Sequence, residues 1–446
     1  MAERRLLPQR ALHWISLLLL FLLAFMLGQG GVPVEDGSEL MTVARMGGTN
    51  HPPGMPLLGL LCRFSWVLLG SAGLRALFAL VGSLALWLLV DSHRLPGTLV
   101  AVAILLLPAT RERLLQWDAY GPLFLAFVLA WRLRRSSPLL LGVITGLAMG
   151  VHPLGMLLPL VFIDRGFGPM GFLGGLLLGL SVYLALPLYS SAGAVVDWGS
   201  PSRFSTFLRQ VSAGGYREAY AAQMAGWSLS AAGRHLAELG SMAWPTLWVP
   251  AAAGAGLLLR RRRDSLVRLG LLLLAEAVFV WTINPMAAGT SQTAVISLFV
   301  IVVLAATASR GLPRRAMLAI FSAIALHAAL QPDPLVDQRL EVQSVLAPAP
   351  PEACLVLSSN DLLYGCWQLK YVEDRRPDVV LLSTDNFSRW FEEMVSQYNC
   401  DMDLSTGVAD VGGYGLSRRE AAFRLLQAAA RLNPRRPFLT DYAVGN

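Results

Sequence analysis

The sequence predicts an α-helical polytopic membrane protein with about 11 transmembrane helices and a small C-terminal α/β extramembrane domain. Three observations carry that prediction. Hydrophobic residues make up 55% of the 446 and charged residues only 15%, where soluble domains carry about 25% charge. Long apolar runs recur through residues 1–330. Arginines fall at regular places between those runs.

The first element, "MAERRLLPQRALHWISLLLLFLLAFMLGQGG", has the basic start and apolar core of a signal peptide. Its core runs about 18 residues and no A-x-A site follows, which predicts a retained anchor. Further apolar runs lie at 72–90, 96–109, 119–131, 138–151, 153–163, 169–189, 242–259, 265–283, 291–308 and 315–330. A hydrocarbon core of ~30 Å needs about 20 apolar residues per helix, fewer where neighbours shelter it.

Arg4, Arg5 and Arg10 precede the first run, and Arg94 follows the second. Arg132, Arg134 and Arg135 follow the fourth, Arg165 the sixth, Arg260 to Arg263 the eighth, and Arg310, Arg314 and Arg315 the tenth. All fall on one side if the chain starts inside and crosses at every run. Segments 31–71, 110–118, 190–241 and 284–290 are then outside, with the tail from Gln331. The expected location is a bacterial-type inner membrane, with a cytoplasmic N-terminus and a periplasmic tail.

The formal net charge of +7 does not point to nucleic acid. Residues 1–330 carry a net +12 and residues 331–446 a net −5. The excess lies in short links between spans, where it reports topology.

Segment 190–241 reads as amphipathic: Phe204, Phe207, Leu208 and Val211 recur at helical spacing, with Arg203 and Arg209 among them. Such a helix suits the interface. In the tail, "CLVLSS" and "DVVLLS" read as strands and "RPFLT" as a third. "NDLLYGCWQLKYVED", "NFSRWFEEMVSQY" and "SRREAAFRLLQAAARL" read as helices. Strand–helix alternation predicts a small α/β domain. The tail has no GxGxxG or GxxxxGK[ST] and the chain no CxxC or HExxH, so neither nucleotide binding by the tail nor metal binding has motif support. Cys62, Cys354, Cys366 and Cys400 are expected as free thiols ahead of one disulfide.

The chemistry-bearing residues gather on the predicted outer side. Asp36 and Glu39 share a helix face at i,i+3; a solvated acidic cap is the plain alternative. His51-Pro52-Pro53-Gly54 is a rigid turn, since proline fixes φ and glycine permits close approach. A histidine beside two carboxylates suits a general base with a binding group. Arg111 and Arg113 break the charge rule, which fits contact with a phosphate-like anion. His152, Asp118, Tyr120 and Trp198 are candidates whose plain readings are caps and interfacial aromatics.

"DGSEL…HPPGMPL" resembles the D-x-G/S-E-L…H-P-P-G-Y-P-L signature of a large polytopic family catalogued as a domain of unknown function. Its eukaryotic relatives are protein O-mannosyltransferases of plexin-type IPT domains. The resemblance continues through "QWDAYGPL", "GLAMGVHPLGMLLP", "LALPLYSSAGAVVDWGSP" and "YVEDRRPDVVLLS", with Asp118 where the family favours Glu and Met55 where it favours an aromatic. It implies a GT-C-like glycosyltransferase module over 1–330 and an outer α/β domain over 331–446.

On that resemblance a hexose such as mannose passes from a polyprenyl-phosphate donor to a protein Ser/Thr hydroxyl, with inversion. Asp36 matches the catalytic base, and Glu39, His51, Pro52, Pro53 and Gly54 match the rest of the motif. Arg111, Arg113, His51 and His152 would bind the donor phosphate; no cofactor or metal is implied. The rival readings are a transporter or flippase of a lipid-linked saccharide, transfer to a lipid or glycan acceptor, and a scaffold. Glu276 is the main acid within a run and the residue a transporter would use.

Overall fold

The computed structural model describes residues 3–34, 36–90, 95–162, 168–214, 229–243, 247–284, 294–309, 313–357, 359–383, 435 and 437–440. The sequence-expected helices at 386–398 and 417–432 and Cys400 lie outside the described residues, as does Glu35. The chain forms two compact units. The first comprises Met1–Gln29, Arg75–Ser181 and Ala222–Leu335; the second comprises Gly30–Leu74, Val182–Ala221 and Val336–Asn446.

Helices dominate, and several are apolar enough for a bilayer. Ser71–Leu89, Pro169–Ser191 and Arg263–Ile283 are long enough to cross one. Pro108–Leu115 and Tyr120–Leu133 pass together but are bent by 94°. Seven further apolar helices are only 10–17 residues long. Eleven crossings are thus far more than helix length supports: three described helices qualify, or four with the bent pair. The reason is local. Run 153–163 is split into a turn, Pro153–Leu157, and a short helix, Pro159–Phe162. Proline lacks the amide donor a continuous helix needs, and an apolar run does not register such a break.

In the first unit, Pro138–Met149 and Pro169–Leu180 pack backbone against backbone. A Cβ on Gly142 would lie 2.1 Å from the Phe172 carbonyl oxygen, and one on Gly175 would lie 2.0 Å from that of Leu139. Gly146 and Gly179 continue the contact one turn on, giving a small-xxx-small interface on both helices. The Val295–Ser309 helix is buried along nearly all its length, with Phe299 against Phe124, Phe127 and Trp131. Fully buried Glu276 anchors its start, accepting from the Ile296 and Ser297 amides at 2.9 Å each and from the Ser297 hydroxyl. A carboxylate there meets the positive end of the helix dipole.

In the second unit, β1 (Gly48–Thr49) and β2 (Val196–Asp197) pair in parallel, Gly48 opposite Val196. Gly48 has φ +139°, and a Cβ would sit 2.1 Å from the Val196 carbonyl oxygen, so only glycine fits. β3 (Cys354–Leu357), β4 (Val380–Ser383) and β5 (Phe438–Thr440) form a parallel sheet in the order β4-β3-β5. Asn360–Trp367 follows β3, its start capped by the Ser359 hydroxyl accepting from the Leu362 amide. Parallel strands need such crossovers.

The tail shares its core with the loops. Val32, Val43, Val196 and Trp198 pack in one cluster with Val342, Leu355, Leu363, Trp367 and Leu381. Cys62, Cys354 and Cys366 are buried free thiols. Phe204–Val211 is helical, with Phe204 and Leu208 exposed and Gln210 buried.

Candidate active site

The Asp36–Met46 helix opens the second unit's site, with Asp36 and Glu39 in its first turn. Negative groups are favoured there. The Ser38 hydroxyl donates to the Pro33 carbonyl oxygen at 2.7 Å and lies 2.9 Å from Gln368 Oε1. Gln338 Nε2 donates to the same Pro33 oxygen at 2.7 Å, and Gln368 Nε2 to that of Gly31 at 2.9 Å. The tail's side chains therefore fix the approach to Asp36.

Glu39 is fully buried and both its oxygens hold His51. Oε1 accepts the His51 amide at 2.8 Å, and Oε2 lies 2.5 Å from Nδ1. The other ring nitrogen, Nε2, lies 3.6 Å from Asp36 Oδ2. The imidazole thus bridges a buried carboxylate and a reachable one, for Asp36 keeps 24% of its side chain exposed. Burial alone would lower the His51 pKa, but Asp36, Glu39 and the Glu39 hydrogen bond raise it to about 9. The ring is therefore an imidazolium at neutral pH. Burial raises the Asp36 pKa; the His51 charge opposes that and Glu39 adds to it.

The turn is built around these groups. The Pro52–Pro53 peptide is cis. Gly54 has φ +93°, where a Cβ would also meet the Leu186 side chain at 2.9 Å. Trp198 is buried with its ring edge-on to His51, centroids 6.2 Å apart. The β1–β2 pair sets this contact by aligning the strands that lead into His51 and Trp198.

Sequence reasoning missed the supports. Thr49 Oγ1 lies 3.2 Å from Asp197 Oδ1, Ser190 Oγ donates to Asp197 Oδ2 at 2.6 Å, and Gln210 Nε2 donates to the Asn50 carbonyl oxygen at 3.0 Å. Burial raises the Asp197 pKa against those two hydroxyl hydrogen bonds. The available signal was adjacency: Thr49-Asn50 precede His51, and Asp197 precedes Trp198.

Ligand atoms of Asp36, Glu39 and His51 lie within 4.8 Å of one another, near enough to share a divalent cation. Both imidazole nitrogens face carboxylates, so a cation would have to replace a ring proton there. A bound cation would supply positive charge where the imidazolium now provides it.

The remaining candidates belong to the first unit. Arg113 is buried and pairs with Glu112 at 3.2 Å and with Glu238. Among the described residues, Arg111 pairs through Nη1 with exposed Asp333 at 3.3 Å, and its buried Nε has no described partner. Thr110 Oγ1 and Trp117 Nε1 are likewise buried without a described partner. Buried donors without partners are uncommon, and each marks a place where a ligand or water belongs. Asp118 Oδ1 accepts the Tyr120 amide at 2.7 Å, at the start of the Tyr120–Leu133 helix. His152 Nδ1 accepts the Leu154 amide at 3.2 Å, which puts the ring proton on Nε2, and Tyr120 packs on the ring at 5.3 Å. Asp118 and His152 both serve as caps.

No protein-family model matches the chain, and no curated protein matches it.

Proposed function

We propose that this protein is a membrane glycosyltransferase with a GT-C-like fold. It would move a hexose such as mannose from a polyprenyl-phosphate donor to a protein Ser/Thr hydroxyl, inverting the anomeric centre. The observation that carries the reading is the Glu39–His51–Asp36 relay. Buried Glu39 holds the imidazolium; the imidazolium steadies Asp36; Asp36 alone of the two carboxylates is reachable. That assigns Asp36 as general base and Glu39 as a positioning residue.

As the acceptor oxygen bonds to the anomeric carbon, Asp36 takes its proton and the bond from that carbon to the phosphate oxygen breaks. The phosphate leaves already ionised, so it needs cationic and hydrogen-bonding partners rather than an acid. In the first unit, Arg111, Thr110 and Trp117 each carry a buried donor with no described partner, the kind of group such a phosphate needs. Arg113 is committed to two carboxylates and serves to hold its helix. His51 contributes charge beside Asp36.

The membrane arrangement follows the same reading. Segments 30–74, 182–221 and the tail, which share a unit, overlap those the arginine pattern sends outside. Eleven crossings require the 10–17-residue apolar helices other than Pro56–Leu69, together with Trp248–Arg261, to be spans sheltered by neighbours. The N-terminus would be cytoplasmic and the relay periplasmic. Glu276, the residue a transporter would use, is occupied in anchoring a helix start.

The test is Asp36→Asn in membranes supplied with radiolabelled polyprenyl-phosphate mannose and endogenous envelope proteins. Transfer should fall by roughly 10²–10⁴-fold with unchanged protein level. Transfer at the wild-type rate would refute the assignment.

A further inference from the structure

The Glu39–His51–Asp36 relay carries the parts of a second kind of site. Glu39, fully buried, grips His51 twice, through the backbone amide at 2.8 Å and through Nδ1 at 2.5 Å. A histidine held this way has its ring orientation fixed, with Nε2 as the nitrogen left to act. A carboxylate on the far ring nitrogen is also the support found behind metal-ligating histidines, where it fixes the tautomer and raises the basicity of the ligand.

The atom facing Nε2 is Asp36 Oδ2, at 3.6 Å. That is longer than a hydrogen bond between charged groups, which spans about 2.7–2.9 Å. It is close to the spacing of two ligands on one ion. At bond lengths of about 2.0–2.2 Å and a tetrahedral angle, nitrogen and oxygen ligands of zinc stand roughly 3.4 Å apart. Among the described residues, none donates a hydrogen bond to the Asp36 carboxylate, and 24% of that side chain is exposed. Asp36 therefore has lone pairs to give and an open side by which an ion can enter.

Charge favours the exchange. Two carboxylates around one imidazolium leave the trio with one negative charge in excess, and a dication on the neutral ring cancels it. The ion takes the place of the Nε2 proton, which passes to solvent. The ligand types choose the metal: imidazole with carboxylate suits zinc, whereas magnesium and calcium take shells of oxygen. Glu39, whose ligand atom lies within 4.8 Å of the other two, stays behind the ring.

We infer that Asp36 and His51 form a zinc site, with Zn²⁺ between Asp36 Oδ2 and His51 Nε2 and Glu39 supporting the ring, and that the bound ion switches transfer off by occupying the general base. The switching rests on the transferase reading; the site itself does not.

The full chain in detergent, stripped with EDTA and dialysed, would be equilibrated with Zn²⁺ and its bound metal counted by mass spectrometry. A single equivalent should bind, and excess Mg²⁺ or Ca²⁺ should not displace it. Asp36→Asn and His51→Gln should each remove that equivalent, and Glu39→Gln should weaken it by about 10–100-fold. Co²⁺ in place of Zn²⁺ reads the ligands of the wild type directly, whether or not the variants fold. The visible bands of a tetrahedral nitrogen–oxygen site are expected, without the near-ultraviolet band of a thiolate ligand. Sugar transfer should stop as the equivalent binds and return with EDTA. Equal zinc uptake by the wild type and the Asp36→Asn/His51→Gln double variant means an adventitious ion only and overturns the inference. So does a thiolate band, or displacement by Mg²⁺. Transfer that continues with zinc bound overturns the switching. A protein that transfers no sugar under any condition overturns the switching together with the transferase reading, while the metal count still decides the site.

Discussion

Replacing Glu39 with glutamine removes one charge from beside His51 and keeps the side-chain shape. In the folded protein His51 is raised from 6.5 to about 9, which corresponds to roughly 3 kcal/mol of tighter proton binding. Its side chain is only 14% exposed, so water screens little of that. Burial opposes the shift, so the two carboxylates account for all of it, Glu39 at 2.5 Å and Asp36 at 3.6 Å. A histidine with a raised folded pKa contributes its stability in full below the unfolded value and loses it as pH climbs through the folded one. Wild-type protein should therefore lose about 3 kcal/mol between pH 6.5 and 9, and Glu39→Gln less than half of that. For a chain of 446 residues, unfolding entropy makes 1 kcal/mol worth about 1 °C in Tm. Thermal unfolding in detergent from about pH 6 to 9.5 should show a wild-type Tm that falls by about 3 °C across that window. The variant should start lower and follow a flatter curve. Parallel curves for the two proteins would refute the claim that Glu39 holds the His51 proton.

Three other outcomes follow from the geometry. Gly175→Leu should lower Tm and yield by the equivalent of about 1–3 kcal/mol or more, because any Cβ there meets the Leu139 carbonyl; an unchanged Tm would mean the two helices do not pack as described. Glu276→Leu leaves the Ile296 and Ser297 amides unpaired at about 1–3 kcal/mol each, whereas Glu276→Gln should retain more stability; equal losses would count against the anchoring role. Arg111→Gln should leave Tm near wild type, since its partner Asp333 is 62% exposed and such pairs contribute about 0–1 kcal/mol, but should raise the KM for donor. Arg113→Gln should instead destabilise by roughly 3 kcal/mol, because it removes the cation paired with Glu238, whose side chain is only 10% exposed. A reversed pattern would exchange the two arginines' roles.

What the sequence disclosed followed local rules. Asp36 and Glu39 sit three apart on a helix, and His51 joins them across a short turn, so their meeting was legible. The three tail strands were legible from apolar runs bounded by polar residues. The division of labour was not, because it depends on which carboxylate is buried, and tail residues such as Gln338 and Gln368 help to build that region. Nor was the β1–β2 pair, two residues on each side and 148 positions apart; no periodicity marks so short a strand. The crossing count exceeds what helix length supports because an apolar run reports composition, whereas Pro159 and the bend before Tyr120 decide helix length. Arg111 and Arg113 looked equivalent as charges, and only their partners distinguish them.

The placing of the tail also bears on how the protein is made. The segment carrying Asp36 is made well before Asp337, Gln338 and Gln368, which bond to Val32, Pro33, Gly31 and Ser38 from 305 or more residues further along the chain. During synthesis, and in any product that stops before Asp337, Asp36 stands on a segment whose side-chain partners do not yet exist. Such a fragment holds every described apolar helix and still lacks the groups that fix the approach to Asp36. The order of synthesis thereby puts the assembly of the Asp36 region after the membrane helices, held back until Gln368 has been delivered.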